Sequence, residues 1–143
     1  MVEESLYSPH GRAYDDASVI APLLDDIAAQ AEEADRTRSV SSDLIRSIKR
    51  NDIMRFSASP ELSGVNGSYV ATANELRAIA PRCTSTAWVV WNHLVLVHHF
   101  SALFGPKHAD FLGEITTKRE WVCQGAPFHS PAMFVLTIGC CAA

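Results

Sequence analysis

The chain has 143 residues, a length that suits one domain with a hydrophobic core of its own. Hydrophobic residues make up 48% and charged residues 20%, a balance that argues against a disordered chain. The formal net charge of −4 argues against general nucleic-acid binding. No secretory signal is visible, so we expect a cytoplasmic protein whose four cysteines are reduced.

The first third of the chain predicts an arm followed by two helices. Residues 1–17 are polar, and we expect a flexible arm there. Apolar residues at steps of three and four predict an amphipathic helix over Ser18–Ala34, with its acidic residues in solvent. Ser41 or Ser42 is then expected to cap a second helix. A loop rich in Ser, Pro, Gly and Asn follows over Ser57–Gly67.

The middle of the chain predicts two further helices. We expect Ser68 to cap the third helix and Pro81 to close it. The side chains predicted to face inward from it are Tyr69, Val70, Ala73, Leu76 and Ala80. The stretch Cys83–Phe104 contains no Asp, Glu, Lys or Arg and predicts a long central helix, buried on several sides. A membrane span is the alternative, which the histidines inside this stretch oppose.

The last part of the chain changes from helical to β-like sequence. A helix is expected to begin at Pro106, with short strands at Trp121–Cys123 and Met133–Ile138. The prediction is therefore an all-α fold in which the arm precedes a helical domain over 18–119. Residues 120–143 are expected to form the incomplete start of a β-domain.

The sequence contains no nucleophile or phosphate-binding motif, and we assign no catalytic residue. His93 lies five residues before His98 and six before His99, whereas metal-binding pairs on one helix face lie three or four apart. We therefore expect no metal site. Trp88 and Trp91 are three apart and share a helix face. They are either two core aromatics or the wall of a cavity for a planar ligand.

The stretch that opens the central helix carries a family resemblance. Arg82–Trp88 (RCTSTAW) resembles the N-terminal α-domain of the acyl-CoA dehydrogenase superfamily. The closest branch is that of flavin-dependent monooxygenases of the p-hydroxyphenylacetate hydroxylase large-component type. Ala31–Arg38, Asn51–Phe56 and Leu103–Ala109 resemble the same domain, so that the likeness covers roughly residues 19–131.

The resemblance implies a fold of three parts: this α-domain, a middle β-domain and a C-terminal four-helix bundle. It implies a flavin cofactor, FAD or FMN, between the last two parts, and a homo-oligomer. The α-domain would form one wall of the cavity for a small aromatic or acyl substrate. By resemblance, Trp88, Asn92 and His93 would line that wall, with His98 as a second candidate. A flavin reductase would be the partner protein.

The chain departs from this family where the β-domain should begin. Gln124–Pro131 still resembles the first strand and loop, but the sequence from Ala132 onward does not. We therefore expect a truncated chain without the main flavin contacts, inactive alone. Three hypotheses follow: the N-terminal part of a flavin-dependent monooxygenase, a fragment of an acyl-CoA dehydrogenase, or a non-catalytic helical interaction module. No nucleic-acid or membrane partner is expected.

Overall fold

The computed structural model describes residues 18–104, 107–125 and 134–138. The predicted arm, residues 1–17, lies outside these ranges, as does the helix start expected at Pro106. The domain boundaries proposed above stay predictions.

The described residues are mostly helical, which confirms the all-α prediction. The α-helices are α1 (Leu24–Ala29), α2 (Ala31–Thr37), α3 (Ser42–Arg50), α4 (Tyr69–Ile79), α5 (Thr84–Phe104) and α6 (Ala109–Lys118). Short 3-10 turns cover Ala21–Leu23, Asp52–Arg55 and Pro60–Leu62. The strands β1 (Trp121–Gly125) and β2 (Phe134–Ile138) pair antiparallel, with Trp121 opposite Ile138.

The predicted first helix is interrupted at Gln30, where α1 ends and α2 begins. Its apolar pattern nevertheless describes the buried side correctly, because Ile20, Leu24, Ile27 and Ala34 are all buried. The next helix, α3, begins as predicted. The Ser41 hydroxyl at its N-cap accepts a hydrogen bond from the Leu44 N–H at 3.2 Å.

The inward face predicted for α4 is wrong. Tyr69 and Val70, which were expected to be buried, are 61% and 68% exposed. The side chains that α4 buries are Thr72, Glu75, Ala78 and Ile79. A pattern of apolar residues alone could not place a glutamate on the buried side.

The buried position of Glu75 has a specific cause, because its carboxylate caps the start of the helical region. It accepts hydrogen bonds from the Ser18 hydroxyl at 2.6 Å and from the backbone N–H groups of Val19 and Ile20 at 2.8 and 3.0 Å. A buried carboxylate is tolerated when donors replace its water shell. This contact fixes the rotation of α4 and ties the first described residues to it.

The central helix α5 was predicted over nearly its full length, and the core runs along it as two clusters. Its N-cap is Cys83, whose sulfur accepts hydrogen bonds from the N–H and hydroxyl of Thr86. The first half of α5 packs with α1 to α4 in a cluster that includes Ile27, Leu44, Ile48, Ile79 and Leu94. The second half packs with α6 and β1 in a cluster that includes Leu96, Val97, Phe100, Leu112 and Val122. None of the helices in the described ranges is long and apolar enough to cross a membrane.

Candidate functional site

The side of α5 that faces away from the core carries two exposed tryptophans. Trp88 is 63% exposed and Trp91 is 38% exposed. Their rings stack, with centroids 4.9 Å apart and planes 26° from parallel. Two neighbouring aromatic rings left in solvent form the kind of apolar surface that marks a binding site. The two tryptophans are therefore not core aromatics, which was one of the two alternatives for this pair; the other was the wall of a cavity.

The tryptophans border an apolar groove between α4 and α5. The groove has a volume of about 240 Å³. It is lined by Leu76, Ala80, Thr84, Ala87, Trp88 and Trp91. The polar side-chain groups in this lining are the Thr84 hydroxyl and the indole N–H groups of the two tryptophans, so the groove offers mainly dispersion and apolar contact.

A second, more polar cavity adjoins the first. Its volume is about 440 Å³. Its lining consists of Arg38, Ser39, Val40, Thr84, Ser85, Trp88 and Val89. Because Thr84 and Trp88 line both spaces, Trp88 separates an apolar groove from a polar cavity. Within the described part of the chain, the exposed Arg38 guanidinium has no hydrogen bond or ion pair.

His93 lies on the opposite side of α5, in the core, where it is 1% exposed. Its Nε2 lies 2.7 Å from the Met54 carbonyl oxygen, and its Nδ1 lies 3.1 Å from the Val122 nitrogen. A backbone N–H can only donate, so Nδ1 is the acceptor and Nε2 carries the proton and donates to Met54. Its ring also meets the edge of Trp121.

The charge state of His93 follows from this environment. Burial lowers the pKa of His93 to about 4, although the hydrogen bond to the Met54 carbonyl acts in the opposite direction. The imidazole is therefore neutral at neutral pH. It joins the 3-10 turn at Asp52–Arg55 to strand β1 through α5, and it lines neither of the two cavities.

The other two residues predicted to line the wall also lie away from both cavities. The half-buried Asn92 donates a hydrogen bond to the Trp88 backbone carbonyl at 3.1 Å, within α5. His98 lies further along α5, with its ring 3.9 Å from the ring of Tyr69. The structure thus places Trp88 at the cavities and does not bring Asn92, His93 or His98 to them. A lining role for these three stays a prediction.

The residues that sequence reasoning missed are those contributed by other elements. Thr84 could have been found, because it lies four residues before Trp88 on the same face of α5. The sequence does not indicate that Arg38 and Leu76 lie near Trp88, since their proximity depends on how α2 and α4 pack. Among the described residues, no group of three or more His, Cys, Asp or Glu side chains could hold a metal ion.

The described residues fit one face of a planar ring, not a whole flavin. Trp88 offers a flat aromatic surface, but no facing wall closes over it in the described ranges. No family model, curated protein or solved structure matches this chain.

Proposed function

We propose that this chain is the N-terminal helical part of a flavin-dependent oxidoreductase, and that α5 forms one wall of its substrate cavity. The specific activity we propose is that of an acyl-CoA dehydrogenase-like monooxygenase. The observation that carries the proposal is the exposed, stacked pair Trp88 and Trp91 beside an apolar groove. The resemblance of Arg82–Trp88 to the start of that family's central helix supports it.

The contribution of this chain would be binding and shielding rather than chemistry. Rigid aromatic side chains provide a large contact area at a small cost in conformational entropy. Stacking on Trp88 would hold a planar substrate and keep water from one of its faces. Bound flavin would supply the redox chemistry, and its main contacts would come from outside the described residues.

The first experiment measures flavin binding by the purified chain, through the fluorescence of FAD and FMN, oxidised and reduced. We expect no saturable binding and no turnover, because only one wall of a site is present. Saturable micromolar binding would contradict the claim that only one wall of the site is present, and turnover with reduced flavin would contradict the claim that the chain is inactive alone.

A chimera tests the family assignment directly. This chain would replace the N-terminal α-domain of a flavin monooxygenase of the p-hydroxyphenylacetate hydroxylase type, leaving that enzyme's β-domain and bundle. We expect a flavin-loaded chimera in which Trp88→Ala raises KM for the aromatic substrate about tenfold at unchanged flavin content. Glu32→Ala, on an exposed face of α2, is the matched control. A folded chimera that takes up no flavin would refute the assignment.

A second candidate is a non-catalytic helical interaction module, and one observation favours it. Large apolar side chains are exposed on several helices: Tyr69, Val70, Trp88, Trp91, Leu103 and Phe111. Such surfaces often mediate association. Light scattering over a range of concentrations tests this function. Self-association that Trp88→Ala abolishes would favour it, and a monomer at all concentrations would count against it.

A further inference from the structure

We propose that the chain's own N-terminal segment, Glu3–Tyr14, docks on the face formed by the apolar groove and the Arg38 cavity. The segment has the sequence EESLYSPHGRAY. In this arrangement Leu6 and Tyr7 cover the tryptophans, and the acidic residues before them pair with Arg38. The proposal concerns this chain alone and does not depend on flavin.

The first support is the point at which the segment joins the described chain. Ser18, Val19 and Ile20 are held by Glu75, and the next residue of α4, Leu76, lines the groove. Ser18, where the described chain begins, therefore lies beside the turn of α4 that forms one edge of the groove.

The second support is length. Seventeen residues precede Ser18, and at about 3.3 Å per residue they could span up to about 56 Å. The distance along α5 from Thr84 to Trp91 is about 10 Å at 1.5 Å per residue. The segment is thus long enough to cover the groove and continue into the neighbouring cavity.

The third support is chemical complementarity. Residues 1–17 carry four carboxylates and one arginine, whereas the cavity presents the guanidinium of Arg38 and no carboxylate. The apolar groove beside it matches the apolar pair Leu6 and Tyr7, which follow the acidic pair Glu3 and Glu4 after one serine. The segment therefore has an apolar part that matches the groove and, next to it, an acidic part that matches the cavity containing Arg38.

The experiment follows the accessibility of the tryptophans in the full chain, by acrylamide quenching of their fluorescence. Trp121 is buried, so changes report on Trp88 and Trp91. We expect the native chain to be protected. The double substitution Leu6→Ser with Tyr7→Ser should lower the ratio of docked to open chain about fivefold, because it removes the apolar anchor.

A charge exchange tests the pairing with Arg38. Arg38→Glu should lower the docked-to-open ratio about threefold, as expected for an exposed ion pair. Combining it with Glu3→Lys and Glu4→Lys should restore protection. Arg46→Glu is the matched control, since Arg46 is an exposed arginine on α3.

Three outcomes would overturn the proposal. Full quenching in the native chain would mean that the face is open. Equal protection in the native chain and in the Leu6→Ser, Tyr7→Ser variant would mean that another part of the molecule covers it. Protection that rises with protein concentration would mean that a second copy occupies the face.

Discussion

The neutral, buried His93 should make the stability of this protein depend on pH in a defined window. Its pKa is about 4 in the folded chain and about 6.5 in the unfolded chain. Between these values the unfolded chain binds a proton that the folded chain does not, so stability falls as the pH falls through this range. A difference of about 2.5 pH units, at about 1.4 kcal/mol each, gives a total loss of about 3.5 kcal/mol, of which about 3 kcal/mol falls between pH 7 and pH 4.

The substitution His93→Gln removes the titration while keeping the hydrogen-bonding pattern. A glutamine amide can donate to the Met54 carbonyl and accept from the Val122 N–H, but it takes up no proton. We expect the free energy of unfolding of this variant to fall less between pH 7 and pH 4, by about 3 kcal/mol, than that of the native chain. His99→Gln is the matched control, because His99 is exposed.

The assay is urea unfolding at pH 7, 6, 5 and 4, followed by the far-ultraviolet circular dichroism of the helices. Comparing the three chains isolates the contribution of His93, because the carboxylates are the same in all of them. Nitrogen-15 NMR of the imidazole should show a protonated Nε2 and an unprotonated Nδ1 at pH 7. Parallel pH profiles for the native chain and His93→Gln would refute the reasoning.

Three further substitutions test the packing. Gly67→Ala should cost about 1 to 3 kcal/mol, because an added Cβ would lie 2.2 Å from a ring carbon of the buried Phe56. Gly113→Ala lies inside α6 with open space around its Cβ, so it should instead stabilise the protein by about 0.5 to 1 kcal/mol. Thermal unfolding should therefore give a lower Tm for Gly67→Ala and a higher Tm for Gly113→Ala. Glu75→Ala should cost about 2 to 3 kcal/mol in urea unfolding by leaving buried donors unpaired, whereas Glu32→Ala should change stability by less than about 0.5 kcal/mol.

Local signals made the central helix predictable. The predicted stretch Cys83–Phe104 and the observed α5, Thr84–Phe104, differ by one residue, because an apolar run without charges and the small residues at its start are both visible in the sequence. The cap was less predictable, since a cysteine takes the position that hydroxyl residues usually occupy.

The features that escaped prediction depend on partners far away in the sequence. Glu75 is buried because of Ser18, 57 residues earlier. His93 is fixed by Met54, 39 residues before it, and by Val122, 29 residues after it. No window of local sequence contains these pairs. The same limit applies to Trp88, because a helix apolar all round does not indicate which of its faces the neighbouring helices will cover.

The left-handed backbone of Arg38 affects which residue selection would favour at this position. Arg38 and Arg119 both end helices with positive φ, of 56° and 52°, where glycine avoids a cost of about 1 to 2 kcal/mol. At Arg119, hydrogen bonds from the guanidinium to the Lys49 carbonyl and the Asp52 carboxylate offset that cost. Selection for heat tolerance alone should therefore enrich glycine at position 38 and not at position 119. If arginine is instead retained at position 38, the functional contribution of its guanidinium is larger than the free-energy cost of its left-handed backbone.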